Sequence, residues 1–228
     1  MNLMAMKRLN RSLNTRRSFV GVLSSLALVV SCGLTAGAAW AATESPDVFI
    51  KRLTTELLET VKADKTNLTG DVTKIGLLVD QRIMPHVNFQ RMTSSAVGPG
   101  WRQATPEQQK RLQDEFKTLL VRTYAGAVSQ INDQTIAVKP LRAAPDDKEV
   151  IVRTEVRGKG DPIQLDYRVE KSADAPSGWR IYNLNVMGVW LVENYRSQFA
   201  QEINAKGVDG LITSLAERNK SNARVVSK

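Results

Sequence analysis

Cysteine and histidine are almost absent from this chain. Its 228 residues hold one of each, Cys32 and His86. A single cysteine allows no intramolecular disulfide, so the fold must rest on its apolar core. One cysteine and one histidine fall short of the usual ligand set of a transition-metal site. A serine triad would have to use His86, and no Gly-x-Ser-x-Gly elbow is present. His86 itself stands beside Met84, Pro85 and Val87, a setting that favours a structural role over that of a general base. Gly98-Pro99-Gly100 lacks the lysine and the strand-to-helix setting of a phosphate loop. No dense basic run is interleaved with aromatics, which argues against nucleic acid as a partner.

What is present begins with a leader. Met1 to Arg17 carries Lys7, Arg8, Arg11, Arg16 and Arg17 and no acid. An uncharged apolar run follows from Phe19 to about Ala39, closing on Ala39-Trp40-Ala41. Basic head, apolar middle and small-residue exit are the parts of a secretory signal, expected over residues 1–41. The rival reading is a membrane anchor, but Gly, Ser, Thr and Ala make the second half of the run only weakly apolar. Arg16-Arg17 resembles a twin-arginine export signal, and both export routes stay open. Val29-Val30-Ser31-Cys32 resembles a lipobox. Cleavage after Ala41 is preferred because the apolar run continues past Cys32.

Loss of the leader changes the charge. The precursor has 32 basic and 23 acidic residues, or +9; without the five leader cations 27 face 23, or +4. That mild excess gives weak attraction to anionic surfaces. No stretch after residue 42 is long and apolar enough to span a bilayer.

Periodicity divides the remainder. Ser45-Pro46 opens a helix whose apolar positions include Leu53, Leu57, Leu58 and Val61. A second short helix is expected from Asp71 to Ile83, stopped by Pro85, and another from Asn88 to Val97. Thr105-Pro106-Glu107-Gln108 is a capping box ahead of the longest helix, which carries Leu112, Phe116, Leu119, Leu120 and Tyr124 on one stripe. Period-two alternation then marks strands at 135–141, 149–157, 162–170 and 179–187. In the third, Ile163, Leu165, Tyr167 and Val169 oppose Gln164, Asp166, Arg168 and Glu170. Asp166 and Arg168 are expected to pair on the wet face. Helices return after Gly188, and residues 219–228 read as a frayed polar tail. The class is α+β: a curved, mostly antiparallel sheet of about four to five strands packed against several helices. Such a sheet can enclose an apolar cavity, and periodicity alone does not separate a cavity from a filled core.

From His86 onward the chain resembles the MlaC family, the toluene-tolerance auxiliary proteins. The resemblance is carried by His86-Val87-Asn88-Phe89-x-x-Met92, Val97-Gly98-x-x-Trp101-Arg102-x-Ala104-Thr105-x-x-Gln108 and Phe116-x-x-Leu119-Leu120-Val121-Arg122-Thr123-Tyr124-Ala125. It continues through Asp166-Tyr167-Arg168, Gly178-Trp179-Arg180-Ile181-Tyr182 and Gly188-Val189-x-Leu191-Val192-x-Asn194-Tyr195-Arg196-x-x-Phe199. Met187, Trp190 and Asn183 depart from the family's usual polar or acidic residue, serine and aspartate.

The resemblance implies a periplasmic phospholipid carrier, monomeric and without cofactor or metal. Its expected partners are an inner-membrane ABC transporter complex with an MCE subunit and an outer-membrane lipoprotein–porin complex. Residues 42–218 would form the lipid-binding domain, with the acyl tails lined by Phe89, Met92, Phe116, Leu120 and Tyr124 from helices. Val150, Val152, Ile163, Leu165 and Tyr167 would line them from the sheet, with Val189, Tyr195 and Phe199 closing the pocket. Docking would involve basic residues such as Arg91, Arg102, Arg153, Arg157 and Lys159. Two other readings stand beside it: a small-molecule enzyme on a related cone-shaped α+β fold, using Asp166 or His86, and a periplasmic interaction protein with a filled core.

Overall fold

The computed structural model describes residues 44–144 and 146–226. The expected leader, its Ala39-Trp40-Ala41 exit and Cys32 lie outside them. Helix α1 runs Pro46–Ala63. Pro46 sits at its first turn, where a missing amide costs nothing. Ser45 is extended there, but its hydroxyl makes no capping bond. A short α2, Lys65–Leu68, leads to α3, Val72–Leu78, whose first turn is capped by Asp71 through the amide of Lys74. The single helix expected to Ile83 is not regular throughout. It widens to a π turn at Val79–Ile83 and tightens to a 3-10 turn at Met84–His86. Pro85 has no amide to donate to the preceding turn, so the α ladder cannot continue through it.

Helix α4, Phe89–Val97, is capped by the Asn88 side chain and ends at Gly98 with φ 68°. Helix α5 is Gly100–Gln103, and α6 is Pro106–Ser129. The capping box on α6 is complete: Gln108 N donates to Thr105 Oγ1 at 3.2 Å, and Thr105 N donates to Gln108 Oε1 at 2.9 Å. Gly100 packs closely on α7: a Cβ there would lie 2.9 Å from Ile203 Cδ1, so that side chain would have to move to admit a larger residue.

Five strands form one antiparallel sheet in sequence order: β1 Thr135–Val138, β2 Glu149–Arg157, β3 Ile163–Lys171, β4 Trp179–Val186 and β5 Val189–Trp190. The first strand is shorter than the sequence pattern suggested, and β5 was hidden in the approach to the last helix. A register shift falls between Arg168 and Val169. Such a bulge re-aims the side chains that follow it. Helix α7 spans Leu191–Val226 and is interrupted at Gly207, whose φ of 71° breaks helical geometry. The expected frayed tail is therefore helical to Val226. Asn219 is buried there, because its Nδ2 donates to the carbonyl oxygen and to Oε2 of Glu115 on α6.

Three apolar clusters hold these elements. Phe89, Met92, Phe116, Tyr195, Phe199 and Leu211 join α4, α6 and α7. Phe49, Ile50 and Leu53 of α1 cover Val150, Val152, Val169, Trp179 and Ile181 on the inner face of the sheet. Val61, Leu68, Ile75 and Ala125 tie α1, α2, α3 and α6 together. Each fully buried large side chain contributes about 1.5–3 kcal/mol, which supplies the stability that disulfides do not.

Candidate ligand cavity

The three clusters leave a gap between α1, α3 with its π turn, α6 and the sheet. It is a cavity of about 300 Å3. Helix α1 contributes Leu53, Thr54 and Leu57, and the α3 side contributes Ile75, Val79 and Ile83. Val79 and Ile83 stand four residues apart and share one face. Helix α6 supplies Leu120, Val121, Tyr124, Ala125 and Val128, and the sheet supplies Tyr167, Ile181 and Leu184. Phe89 and Met92 close the end nearest α4.

Polar chemistry in this wall is slight. Thr54 Oγ1 and the Tyr167 hydroxyl lie 3.4 Å apart and satisfy each other. Burial pushes the phenols of Tyr124 and Tyr167 up, so both stay neutral. Lys117 reaches the rim, where its ammonium donates to Asp80 Oδ1 at 2.7 Å. Among the described residues no carboxylate or imidazole lines the wall, and the arrangement can bury apolar matter. A wider, more open groove of about 730 Å3 outside α3 and α6 is lined by polar residues such as Asp71, Asp80, Lys117 and Arg122 together with Val72 and Val121.

The residues expected to line a pocket divide by place. Phe89, Met92, Leu120, Tyr124 and Tyr167 stand in the cavity wall. Phe116, Tyr195 and Phe199 do not; their rings pack against each other, with centroids 5.0 to 5.6 Å apart, and fill the space between α6 and α7. Val150 and Val152 are covered by α1 instead of facing the gap. Ile163 and Val189 are exposed at the far end of the strands, with 42% and 50% of their surfaces free, and Leu165 lies part-way between them and the cavity. Alternation gave the correct face for β2 and β3 but not the length of sheet that α1 covers. Leu53, Leu57, Ile75, Val79 and Ile83 were missed as lining, although their helical spacing marked them as apolar faces.

The polar candidates also resolve. Asp166 is buried, not a surface partner of Arg168. Its Oδ2 accepts from Gln164 Nε2 at 2.8 Å, and its Oδ1 has no partner. Arg168 turns to Glu193 and stacks over Trp190, 4.0 Å from the ring centroid. Burial pushes the Glu193 carboxyl up, but hydrogen bonds from Arg168 and Asn183 outweigh it and its pKa falls below the usual carboxylate range. Arg91 is not a free docking cation. It pairs with Glu149 at 2.7 Å and with Glu170, and lies 3.7 Å above the Tyr182 ring. Arg157 pairs with Glu155 at 2.9 Å. His86 packs against Phe49, ring centroids 5.7 Å apart; burial, then the nearby Arg52 charge, lower its pKa. It is not in the cavity wall. Among the described residues no group of three or more His, Cys, Asp or Glu could hold a metal, and no helix is long and apolar enough to cross a membrane.

Known proteins share this architecture. The family model described as MlaC protein matches residues 51–217. The toluene tolerance protein ttg2D of Pseudomonas putida is 29% identical over 170 residues, covering 74% of this chain and 77% of that protein. The intermembrane phospholipid transport system binding protein MlaC of Haemophilus influenzae is 23% identical over 175 residues, covering 76% and 81%. The phospholipid-binding protein of Ralstonia solanacearum, solved in complex with a phospholipid, is 48% identical. It aligns with a TM-score of 0.74 over 78% of this chain and 98% of its own.

Proposed function

The chain belongs to the MlaC protein family, and on that premise we propose that it is a periplasmic carrier of phospholipid that works between two membranes. The acyl tails enter the cavity between α1, α3, α6 and the sheet, and the headgroup stays in solvent. Donor and acceptor are an outer-membrane lipoprotein–porin complex and an inner-membrane ABC transporter complex with an MCE subunit. No cofactor and no covalent step is involved. The observation that carries this reading is the cavity wall itself: aliphatic and aromatic side chains from α1, α3, α4, α6, α7 and the sheet, with Thr54 and Tyr167 satisfying each other and no carboxylate or imidazole among the described lining residues.

The energy scale supports it. Two tails hold on the order of 30 methylenes, and at ~0.8 kcal/mol each their exposure would cost roughly 24 kcal/mol. A protein that carries them through water must cover nearly all of that surface. Extraction of the purified protein into organic solvent, with mass analysis of the extract, tests the proposal. Phospholipid at one molecule per chain is the expected result. An empty extract with turnover of a small substrate would favour the enzyme reading, and an empty extract alone would favour a filled-core interaction protein.

A further inference from the structure

The longest ladder of the sheet leaves part of one strand uncovered. β1 pairs with the far half of β2 alone, from Thr135 opposite Arg157 to Val138 opposite Thr154. One bond continues beyond that ladder, from Lys139 N to Arg153 O at 2.8 Å. The chain then leaves the edge at Pro140, and Leu141 packs against the apolar cluster under α1. The near half of β2, from Glu149 to Val152, has β3 on one side; among the described residues no strand lies on the other.

The register says which backbone groups face that open side. Lys171 N donates to Lys148 O on the β3 side, and Lys139 N donates to Arg153 O on the β1 side. Alternate residues of an antiparallel strand send both their N–H and C=O to the same neighbour. Lys148, Val150 and Val152 therefore bond β3, and Glu149 and Ile151 present theirs to the open edge. Among the described residues none of these four groups has a partner. A row of unmet donors and acceptors at a sheet edge is a template for another strand.

Charge marks the same place. A gap of about 580 Å3 lies between this edge and the loop from β1 to β2, and Lys139, Arg142, Asp147, Glu149 and Arg153 line it. Both acids are engaged: Asp147 Oδ2 accepts from Ala144 N at 2.8 Å, and Glu149 holds Arg91 at 2.7 Å and accepts from the Tyr182 hydroxyl at 2.9 Å. Lys139 is paired with Glu155 at 2.7 Å. Arg142 and Arg153 are exposed and have no ion pair or side-chain hydrogen bond among the described residues. The charge left over is positive. A second copy of the chain would bring the same uncompensated cations, so an acidic segment matches this edge better.

We propose that the open half of β2 is a docking edge for a protein partner, which adds an extended acidic segment as a further strand beside Glu149 and Ile151. Backbone hydrogen bonds hold the segment, and Arg142 and Arg153 select for its carboxylates. The inference goes beyond the phospholipid reading and does not depend on the cargo. The lining of the gap shares no residue with the cavity wall, so a partner held here leaves that wall uncovered.

The test titrates isotope-labelled full protein with synthetic peptides of about seven residues, long enough to span the open half of β2 at roughly 3.4 Å per residue. One alternates valine with glutamate, and a second has lysine for glutamate. Two more are the acidic peptide N-methylated at alternate amides, one in each phase. The acidic peptide is expected to shift the amide resonances of Glu149 and Ile151 and to slow hydrogen exchange at Ile151. Methylation in the phase that faces β2 is expected to weaken binding about tenfold and the other phase to leave it intact. The lysine peptide is expected to bind about tenfold more weakly at low salt, with the difference shrinking as salt rises. Arg142→Ser combined with Arg153→Ser, both at exposed positions, is expected to remove that preference. No binding of the acidic peptide, or equal affinity for both methylated phases, would overturn strand addition. Equal affinity for the acidic and basic peptides would overturn the acidic partner. A dimer of the free chain that protects Ile151 would assign the edge to a second copy and overturn the proposal.

Discussion

At the residue scale, the cavity account separates side chains that look alike in sequence. Leu120 on α6 and Val152 on β2 are both inward-facing aliphatics, but Leu120 faces the gap and Val152 is fully buried under α1. Leu120→Glu is expected to fold, because its carboxylate can reach solvent through the cavity mouth when the cavity is empty, and to lose its lipid. Val152→Glu places an unpaired charge in the core, and a loss of several kcal/mol, enough to unfold a marginal domain, is expected. Urea denaturation of the two variants beside lipid analysis checks the contrast. His86 gives a pH prediction. Its folded pKa is lowered, so the unfolded chain binds the proton more readily, and stability falls as pH drops below the unfolded value near 6.5. His86→Gln is expected to flatten denaturation midpoints between pH 7 and the folded pKa, with the acid limb from carboxylates such as Glu149 and Glu193 unchanged. Equal pH slopes in both proteins would remove His86 from the account.

At the scale of elements, Asn183 is the joint between sheet and last helix. Its Oδ1 accepts from Leu184 N at 2.9 Å and from Val192 N at 3.2 Å, and its Nδ2 donates to Glu193 at 2.7 Å. It therefore satisfies a first-turn amide of α7 from a neighbouring strand, as an N-cap side chain does from its own helix. Asn183→Ala is expected to cost about 2 kcal/mol and to loosen hydrogen exchange at the start of α7 first. Loss spread evenly over the chain would contradict this local role. Much of this layer was legible in sequence. The Thr105 capping box, the long α6 stripe and the alternating strands followed from spacing rules that act within a few residues. What was hidden depends on contacts across the fold. β5 has two residues and exists only because it pairs with Asn185 and Val186. The π turn at 79–83 reflects Pro85 downstream, and the helical continuation past Asn219 reflects Glu115, more than a hundred residues away in the chain. The cavity itself was half legible: strand and helix periods identified the apolar faces, but not which of them other elements would cover. Val152 and Tyr167 are directly opposed in register, and one is core while the other is cavity wall.

At the scale of the molecule, three clusters meet around a gap they do not fill, and an empty apolar gap is costly to keep. Lipid that fills it is expected to stabilise the fold by mass action, and the lipid-free protein to unfold at a lower temperature. Gly207, with its positive φ, breaks α7 into two helical segments. The central claim is that the cavity anchors the tails. It is tested most directly by the native mass of the wild-type protein and of Leu120→Glu, both purified without added lipid. The account predicts a wild-type mass raised by one phospholipid, and a folded Leu120→Glu protein without that increment. A folded wild-type protein of bare polypeptide mass, or a variant carrying as much lipid as the wild type, would contradict it.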